Sequence, residues 1–204
     1  MFDAESCGIS LMLRKWSVSV SPADEVRLLE FIRLLLEWNV RVNVTGARNA
    51  SEVVGEHFPD SLALFRLVPP GVRLIDIGSG GGLPVVPFSI LRPDCLVTMV
   101  EPRAKRVAFL KTVLRVLQCS NLKVFRQRME ECERHLFEVA CSRATFSPFD
   151  WLTSAPALLA PGGRTIVLST GEVSPCPSGF SLLDSLDYQT SNGSVRWAGS
   201  YCST

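Results

Sequence analysis

The feature that most constrains this chain is a cluster of glycines directly after an apolar run. Residues 74–88 read LIDIGSGGGLPVVPF, in which Asp76 is followed by four glycines within the five positions 78–82. Glycine loses more backbone entropy on folding than any other residue, so this cluster indicates a ligand that must approach the backbone closely. Open α/β sheets bind nucleotides at such a turn, between a strand and the helix that follows it.

The sequence from Val72 onward alternates between strand-like and helical segments. Five short runs are typical of strands, namely VRLIDI, LVTMV, LKVFR, LFEVACS and RTIVLST. Helices are predicted between them at about 83–91, 103–118 and 148–160. This alternation predicts an α/β fold with a mainly parallel sheet that helices cover on both faces. Two further strand-like runs around the turn Ser191-Asn192-Gly193 predict a terminal antiparallel hairpin at the sheet edge.

The first third of the chain is predicted to be helical. Residues 21–43 form one helix, with Ser21 as its N-cap and Pro22 in its first turn. A second helical stretch begins after Asn49 or Ser51, is broken at Pro59 and ends before residue 69. We therefore expect two parts, a helical extension over 1–70 and the α/β domain over 71–204.

Composition narrows the functional classes. Hydrophobic residues make up 47% of the 204 residues and the formal charge is +1, so a core can be buried and any basic surface must be local. Seven scattered cysteines without a CxxC pair favour a reducing cytoplasm. The N-terminal apolar run is too short to predict a signal peptide or a membrane span. Cys132 and His135 form a lone CxxH pair, so no metal site is expected; we also expect a monomer.

The spacing of the glycines distinguishes two classes of cofactor. A dinucleotide loop, G-x-G-x-x-G, would need a glycine at 83, where the chain has Leu83. Gly78, Gly80 and Gly82 instead give D-x-G-x-G-x-G, which resembles the S-adenosylmethionine loop of class I methyltransferases; a plain tight turn is the alternative. Glu101 ends the second predicted strand, where a carboxylate can accept hydrogen bonds from both ribose hydroxyls of a nucleoside. NAD would use the same acid, so Glu101 supports a nucleoside cofactor without choosing between them.

Six segments in order carry a more specific resemblance. They are WNVRVNVTGARN (38–49), EHFPDSLAL (56–64), LIDIGSGGGLP (74–84), KRVAFLKTV (105–113), RQRMEE (126–131) and CSRATFS (141–147). Together they closely resemble the 16S ribosomal RNA guanine-N7 methyltransferase family, also called methyltransferase G or glucose-inhibited division protein B. The resemblance covers about residues 25 to 170. It implies a Rossmann-like class I methyltransferase fold that uses S-adenosyl-L-methionine to methylate a guanine of 16S rRNA, free or in the small ribosomal subunit.

The resemblance also implies roles for individual residues. The resemblance implies cofactor contacts at Gly78, Leu83, Met129, Glu130 and Arg143, and the loop and the strand end predict Ser79, Gly80 and Glu101 as well. The residues implied near methyl transfer, in positioning roles, are Asn43, His57, Asp60 and Arg128, and those implied to bind RNA are Lys105 and Arg106. Taken alone, Asn43 and Asp60 are typical of helix-end caps, His57 of a structural histidine and Glu130 of a solvated helix start. The family usually has a lysine where this chain has Ser169, and glycine where it has Val85.

A basic stretch supplies the local charge that RNA binding requires. Eight cations and no acid occur between 103 and 128, namely Arg103, Lys105, Arg106, Lys111, Arg115, Lys123, Arg126 and Arg128. Such a run is either a phosphate-binding surface or a solvated face, and its place beside the predicted cofactor edge favours the first.

Two other functions stay open from the sequence. A class I methyltransferase of small molecules would have an enclosed apolar pocket and no salt-sensitive RNA binding. A non-catalytic, ribosome-associated nucleotide-binding protein would bind without transferring a methyl group. Guanine N7 carries an exposed lone pair, so its methylation needs positioning and no general base.

Overall fold

A computed structural model describes residues 3–4, 7–170 and 176–204. Within these residues, seven strands form one sheet in the order β3-β2-β1-β4-β5-β7-β6. The strands are β1 (Arg73–Ile77), β2 (Leu96–Val100), β3 (Leu122–Phe125), β4 (Phe137–Ser142), β5 (Leu159–Thr170), β6 (Phe180–Gln189) and β7 (Val195–Ser203). The α-helices are α1 (Ile9–Lys15), α2 (Pro22–Val42), α3 (Ala50–Leu67), α4 (Val85–Leu91), α5 (Ala104–Leu117) and α6 (Pro148–Ser154). Short 3₁₀ helices span Met129–Glu131 and Ala155–Leu158.

The sheet topology confirms the predicted α/β fold and its terminal hairpin. Strands β1 to β5 pair in parallel, while β7 runs antiparallel to both β5 and β6. The chain starts at the central β1, fills one side to β3, and then returns to place β4 on the other side. Parallel α/β sheets bind ligands at this reversal, beyond the carboxyl ends of the strands. The glycine-rich loop follows β1 and therefore lies at the reversal.

Both predicted N-terminal helix caps are present. Ser21 accepts a hydrogen bond from Asp24 N at 3.1 Å and begins α2. Asn49, the first of the two predicted candidates, accepts one from Glu52 N at 2.9 Å and begins α3. Buried side chains of α1, α2 and α3 belong to the same hydrophobic cluster as those of β1, α4 and α5, so the N-terminal helices bury one face of the sheet.

The predicted break at Pro59 is wrong, because α3 continues through this residue to Leu67. Proline has no N–H, so it leaves the carbonyl four residues earlier, that of Gly55, without its helical donor. Ser191 N in the β6–β7 turn donates to that carbonyl at 3.1 Å. A long-range hydrogen bond thus replaces the one that the proline removes.

The β6–β7 turn docks on α3 at a notch formed by Gly55. A Cβ at Gly55 would lie 2.1 Å from Ser191 Oγ, so only glycine leaves room for this side chain. The carboxylate of Glu56 accepts from Ser191 Oγ at 2.6 Å and from Asn192 N at 2.9 Å. The turn that the sequence predicted therefore fixes the terminal hairpin against the N-terminal helices.

The prediction that helices cover both faces of the sheet is wrong at β2 and β3. The connection from β3 to β4 holds only the three-residue 3₁₀ helix Met129–Glu131 instead of a long helix. Leu96 in β2 is accordingly 58% exposed and Phe125 in β3 is 46% exposed. The opposite face is covered by α4 and α5, which contribute the fully buried Phe88 and Phe109, and α2 packs on these two helices.

The notch generates a test of hairpin docking. Gly55→Ala should lower the free energy of unfolding by about 1–2 kcal/mol, because the new methyl group displaces Ser191 and its hydrogen bonds. In a Ser191→Gly background, Gly55→Ala should instead raise the free energy of unfolding by up to about 1 kcal/mol. This is the difference in helix propensity between alanine and glycine. Denaturant unfolding of the four proteins measures both effects. Equal effects of Gly55→Ala in the two backgrounds would contradict the docking.

Candidate active site

The glycine-rich loop turns sharply at the carboxyl end of β1. Gly78, Gly80 and Gly82 have φ values of +77°, +55° and +78°, a conformation that side chains with a Cβ rarely adopt. At Gly80 a Cβ would make ordinary contacts of 3.6 Å with Arg106 Nη1 and 3.7 Å with Gly78 O, so the surrounding protein atoms do not themselves exclude a side chain. At Gly81 a Cβ would lie 2.5 Å from Val44 O. The segment after α2 therefore packs against the loop.

Glu101 lies against this loop, as the sequence predicted. It directly follows β2 and is 2% exposed. Oε2 accepts from Gly80 N at 3.0 Å and Oε1 accepts from Arg103 N at 2.8 Å. Each carboxylate oxygen has more than one lone pair, so both can accept a further hydrogen bond from a ligand hydroxyl.

Arg106 lies in the same group, although the resemblance assigned it to RNA. Its Nη1 is 3.8 Å from Glu101 Oε2 and would be 3.6 Å from a Cβ at Gly80. Its side chain is 27% exposed. Arg106 therefore stands at the loop, while Lys105 beside it is exposed at the start of α5.

Asp76 is a buried acid near the end of β1, and only one of its carboxylate oxygens has a hydrogen-bond partner among the described residues. The residue is 1% exposed, and Cys141 Sγ lies 3.5 Å from Oδ1. Oδ2 is buried without a hydrogen-bond partner among the described residues. Burial raises the pKa of Asp76 to about 6. A buried polar atom is normally paired, so Oδ2 retains the capacity to accept one more hydrogen bond.

A second cluster centres on Asp60, which is 2% exposed in the interior of α3. Arg143 Nη1 donates to Oδ2 at 2.9 Å, and Arg196 Nη1 lies 2.8 Å from both oxygens. Tyr188 donates its hydroxyl to Oδ1 at 2.8 Å. The helix-end cap considered for Asp60 is therefore wrong, because this carboxylate is the centre of a long-range network.

His57 extends the network and is neutral near pH 7. Arg143 Nη1 lies 3.3 Å from its Nδ1, and Thr45 Oγ1 lies 3.2 Å from its Nε2. Since a guanidinium can only donate, Nδ1 accepts and Nε2 carries the proton toward Thr45. Burial and the charge of Arg143 lower the pKa of His57 to about 4.

The other predicted residues occupy less enclosed positions. Ser79 is buried in the loop and donates to Asp76 O at 3.1 Å, and Leu83 is buried just before α4. Arg128 and Glu130 are exposed and Met129 is half-buried at the 3₁₀ helix after β3. Asn43 is exposed as the left-handed C-cap of α2, which is the alternative that the sequence offered for it.

Sequence reasoning missed Tyr188 and Arg196, which come from the terminal hairpin. The last 25 residues resemble the family only weakly, and a lone tyrosine or arginine in a strand is usually a surface residue. The register places Arg196 opposite Thr170, at the carboxyl end of β5. An arginine directly after the hairpin turn, in a strand paired to β5, is the signal that could have identified it.

In the parts of the chain that the structure describes, no three His, Cys, Asp or Glu side chains form a group that could hold a metal ion. His135 of the CxxH pair has Nδ1 at 3.1 Å from the carbonyl oxygen of Leu159. No helix among the described residues has both the length and the apolar character to cross a membrane.

Solved structures show which fold this is. A SAM-dependent methyltransferase from Aquifex aeolicus superposes with a TM-score of 0.55 at 13% identity, over 73% of this chain and 92% of that one. The 1,6-didemethyltoxoflavin-N1-methyltransferase from Burkholderia thailandensis, with S-adenosylhomocysteine bound, gives 0.57 at 16% identity, over 72% and 77%. At these identities the likeness concerns the fold alone, and it confirms the predicted class I methyltransferase fold.

Sequence comparison shows the family. A ribosomal RNA small subunit methyltransferase G from Aromatoleum aromaticum is 33% identical over 181 residues, which cover 84% of this chain and 86% of the relative. The protein of the same name from Pseudomonas syringae is 35% identical over 144 residues, 70% of this chain and 67% of the relative. The family model described as rRNA small subunit methyltransferase G matches residues 24–174. The chain therefore belongs to the rRNA small subunit methyltransferase G family.

Proposed function

We propose that this protein transfers a methyl group from S-adenosyl-L-methionine to N7 of a guanine in 16S rRNA. The observation that carries the proposal is the pair of buried acids, Asp76 and Glu101, at the glycine-rich loop of a chain in this family. The relatives are named for methylation of small-subunit ribosomal RNA, and N7 of guanine is the part of the proposal that needs its own test.

The residues at the loop fit S-adenosylmethionine better than a dinucleotide. Glu101 would accept the ribose hydroxyls, and the unpartnered Oδ2 of Asp76 would accept from the ammonium group of the cofactor. Two carboxylates beside the loop would repel a pyrophosphate, whereas a cationic ligand is attracted to them. Leu83, Met129 and Glu130 follow β1 and β3 at the same edge of the sheet, and we assign them to the adenine side.

For methyl transfer to guanine N7, the main task of the protein is to position the cofactor and the base. The cofactor supplies an activated sulfonium methyl group, and N7 of guanine needs no deprotonation. His57 has partners on both ring nitrogens, so we assign it, with Asp60, to holding Arg143 in place. Orientation of the reacting groups and exclusion of water can lower the barrier by about 7–11 kcal/mol in favourable cases.

The exposed part of the basic stretch is the proposed RNA surface. Its exposed members are Arg103, Lys105, Lys111, Arg115, Lys123, Arg126 and Arg128. Arg106 is the exception, because it lies at Glu101. We therefore assign RNA phosphates to the exposed cations and place Arg106 between the cofactor and the RNA. We also assign Asn43 and Arg128 to the RNA side.

The assay that tests the function uses small ribosomal subunits from cells that lack this methylation. With labelled S-adenosylmethionine, the protein should transfer label to 16S rRNA, and mass spectrometry of nuclease fragments should locate 7-methylguanosine. Transfer to another position would contradict the N7 assignment. Binding without transfer would favour the non-catalytic function, and no binding or transfer would favour a small-molecule methyltransferase.

Cofactor identity and Asp76 are tested by binding. S-adenosylmethionine should raise the melting temperature and NAD should not, because a ligand stabilises the state that binds it. Affinity should fall as the pH drops below about 6, where the raised pKa of Asp76 leaves it neutral before binding. Asp76→Asn should weaken binding roughly 10- to 100-fold, as expected for loss of a charge-assisted hydrogen bond of about 1.5–3 kcal/mol.

Calorimetry from pH 5 to pH 7 isolates the contribution of this carboxylate. The pKa of His57, about 4, lies below that range, so its titration does not interfere. Asp76→Asn should give a flat profile across the range. A profile parallel to that of the wild type would show that Asp76 does not receive the ammonium group, and stabilisation by NAD alone would overturn the cofactor assignment.

The RNA surface is tested by the salt dependence of RNA binding. Lys105→Ala with Lys111→Ala should flatten the log–log slope by roughly 0.7 to 0.9 per lost phosphate contact. Lys15→Ala, an exposed lysine of α1, is the matched control and should leave the slope unchanged. Cofactor affinity should stay constant in the double variant and in the control. If the double variant keeps the wild-type slope, α5 is only a solvated face.

A further inference from the structure

A cleft opens beside the Asp60 cluster, at the carboxyl ends of β4 and β5. Its volume is about 360 Å³, and its walls include His57, Arg143, Phe146, Ser169 and Arg196. The walls come from α3, the link between β4 and α6, the end of β5 and the terminal hairpin. The glycine-rich loop follows β1, and β1 is the neighbour of β4 in the sheet. The cleft therefore adjoins the proposed cofactor site.

The charged groups of the cleft do not balance. Asp60 supplies one carboxylate, while Arg143 and Arg196 each bring a guanidinium to it. His57 is neutral, since its pKa is lowered to about 4, and Tyr188 donates as an uncharged phenol. Among the cleft walls that the structure describes, one positive charge therefore remains, on side chains that are 24% and 15% exposed. Limited contact with water strengthens its attraction for an anion.

An aromatic ring forms another wall. Phe146 stacks on Trp151 with ring centroids 5.5 Å apart and planes 17° from parallel. Trp151 is 2% exposed, and its Nε1 donates to Ile166 O at 2.9 Å, so the underlying ring is fixed. Phe146 itself is 37% exposed. Its free face is a rigid platform on which a planar base can stack.

We propose that this cleft binds the target nucleotide of the RNA, with its base on Phe146 and its phosphate at Arg143 and Arg196. Arg143, which the resemblance implied for the cofactor, is thereby assigned to the substrate side. The inference rests on the proposed function and gives its substrate site. Stacking uses the face of the base, and the charge contacts its phosphate. N7 lies on the edge of the ring, so this mode of binding leaves it free to receive the methyl group.

The terminal hairpin is then part of the substrate site. Arg196 is carried by β7, and the notch at Gly55 holds the β6–β7 turn against α3. Tyr188 of β6 fixes the carboxylate that orients both guanidinium groups.

The experiment measures binding of guanosine 5′-monophosphate (GMP) and of guanosine to the full chain saturated with S-adenosylhomocysteine, by equilibrium dialysis or nuclear magnetic resonance titration. The wild type should bind the monophosphate roughly tenfold more tightly than the nucleoside, as one added ion contact predicts. Phe146→Leu should weaken both ligands about tenfold and leave their ratio unchanged, because only stacking is lost. Phe149→Leu changes an exposed phenylalanine of α6 outside the cleft walls and is the matched control.

Two further variants address the charge. Arg196→Gln should remove most of the preference for the monophosphate, but it also takes a partner from the buried Asp60 and can unfold the chain. Ser169→Lys avoids this problem, since Ser169 is half-buried at the cleft and its hydroxyl donates to Thr170 O at 3.4 Å, while the hydrogen bonds to Asp60 come from Arg143, Tyr188 and Arg196. It should increase the preference for the monophosphate several-fold. Cofactor affinity should be unchanged in Phe146→Leu and Ser169→Lys.

The outcomes separate this inference from the proposed function. Equal affinities for the two ligands in both wild type and Ser169→Lys would overturn the phosphate site, and Phe146→Leu indistinguishable from Phe149→Leu would overturn the stacking site. Either result could occur while the wild type still methylates 16S rRNA, which would leave the proposed function intact. The expected binding pattern without methyl transfer to rRNA would support the nucleotide site and reject the proposed function.

Discussion

The carboxylate of Asp60 connects three parts of the chain that are far apart in sequence. It is buried in α3 and receives Arg143 from the end of β4 together with Tyr188 and Arg196 from the terminal hairpin. A buried charge is tolerated only when its partners are in place, and removal of one partner typically costs about 3–5 kcal/mol. The helical extension, the carboxyl edge of the sheet and the hairpin are thus held in one arrangement.

At the cofactor end of the site, the two buried acids Glu101 and Asp76 differ in how many hydrogen bonds their carboxylate oxygens accept. Both oxygens of Glu101 receive backbone N–H groups from neighbouring loops, so its charge is stabilised before any ligand arrives. Asp76 lacks that support on Oδ2, and burial favours its neutral form. A cationic ligand would supply the missing donor and favour the ionised acid. The Glu101 carboxylate is therefore already ionised and oriented before a ligand binds. The Asp76 carboxylate instead makes ligand binding depend on the charge of the ligand.

Much of this could be predicted from local sequence. The caps Ser21 and Asn49, the alternation of strands and helices, and the glycines after β1 act through neighbours a few residues away, so their patterns are legible in one chain. Pro59 was misjudged because its helix depends on Ser191, 132 residues later. The uncovered sheet face at Leu96 was missed because the hydrophobic periodicity and the composition of the sequence do not reveal that the link between β3 and β4 lacks a long helix. Arg196 was missed because its partner lies across the fold.

Ser169 shows how the same network bears on a departure from the family pattern. The register sets Ser169 opposite Trp197 and Thr170 opposite Arg196. Since neighbouring residues of a strand point to opposite faces, a lysine at 169 and the arginine at 196 would approach the cleft from opposite faces of the sheet. With serine at 169, the positive charge of the described cleft walls comes from the side of the Asp60 cluster. The hairpin that carries Arg196 consequently has a larger share in holding an anion here than it would have beside a lysine.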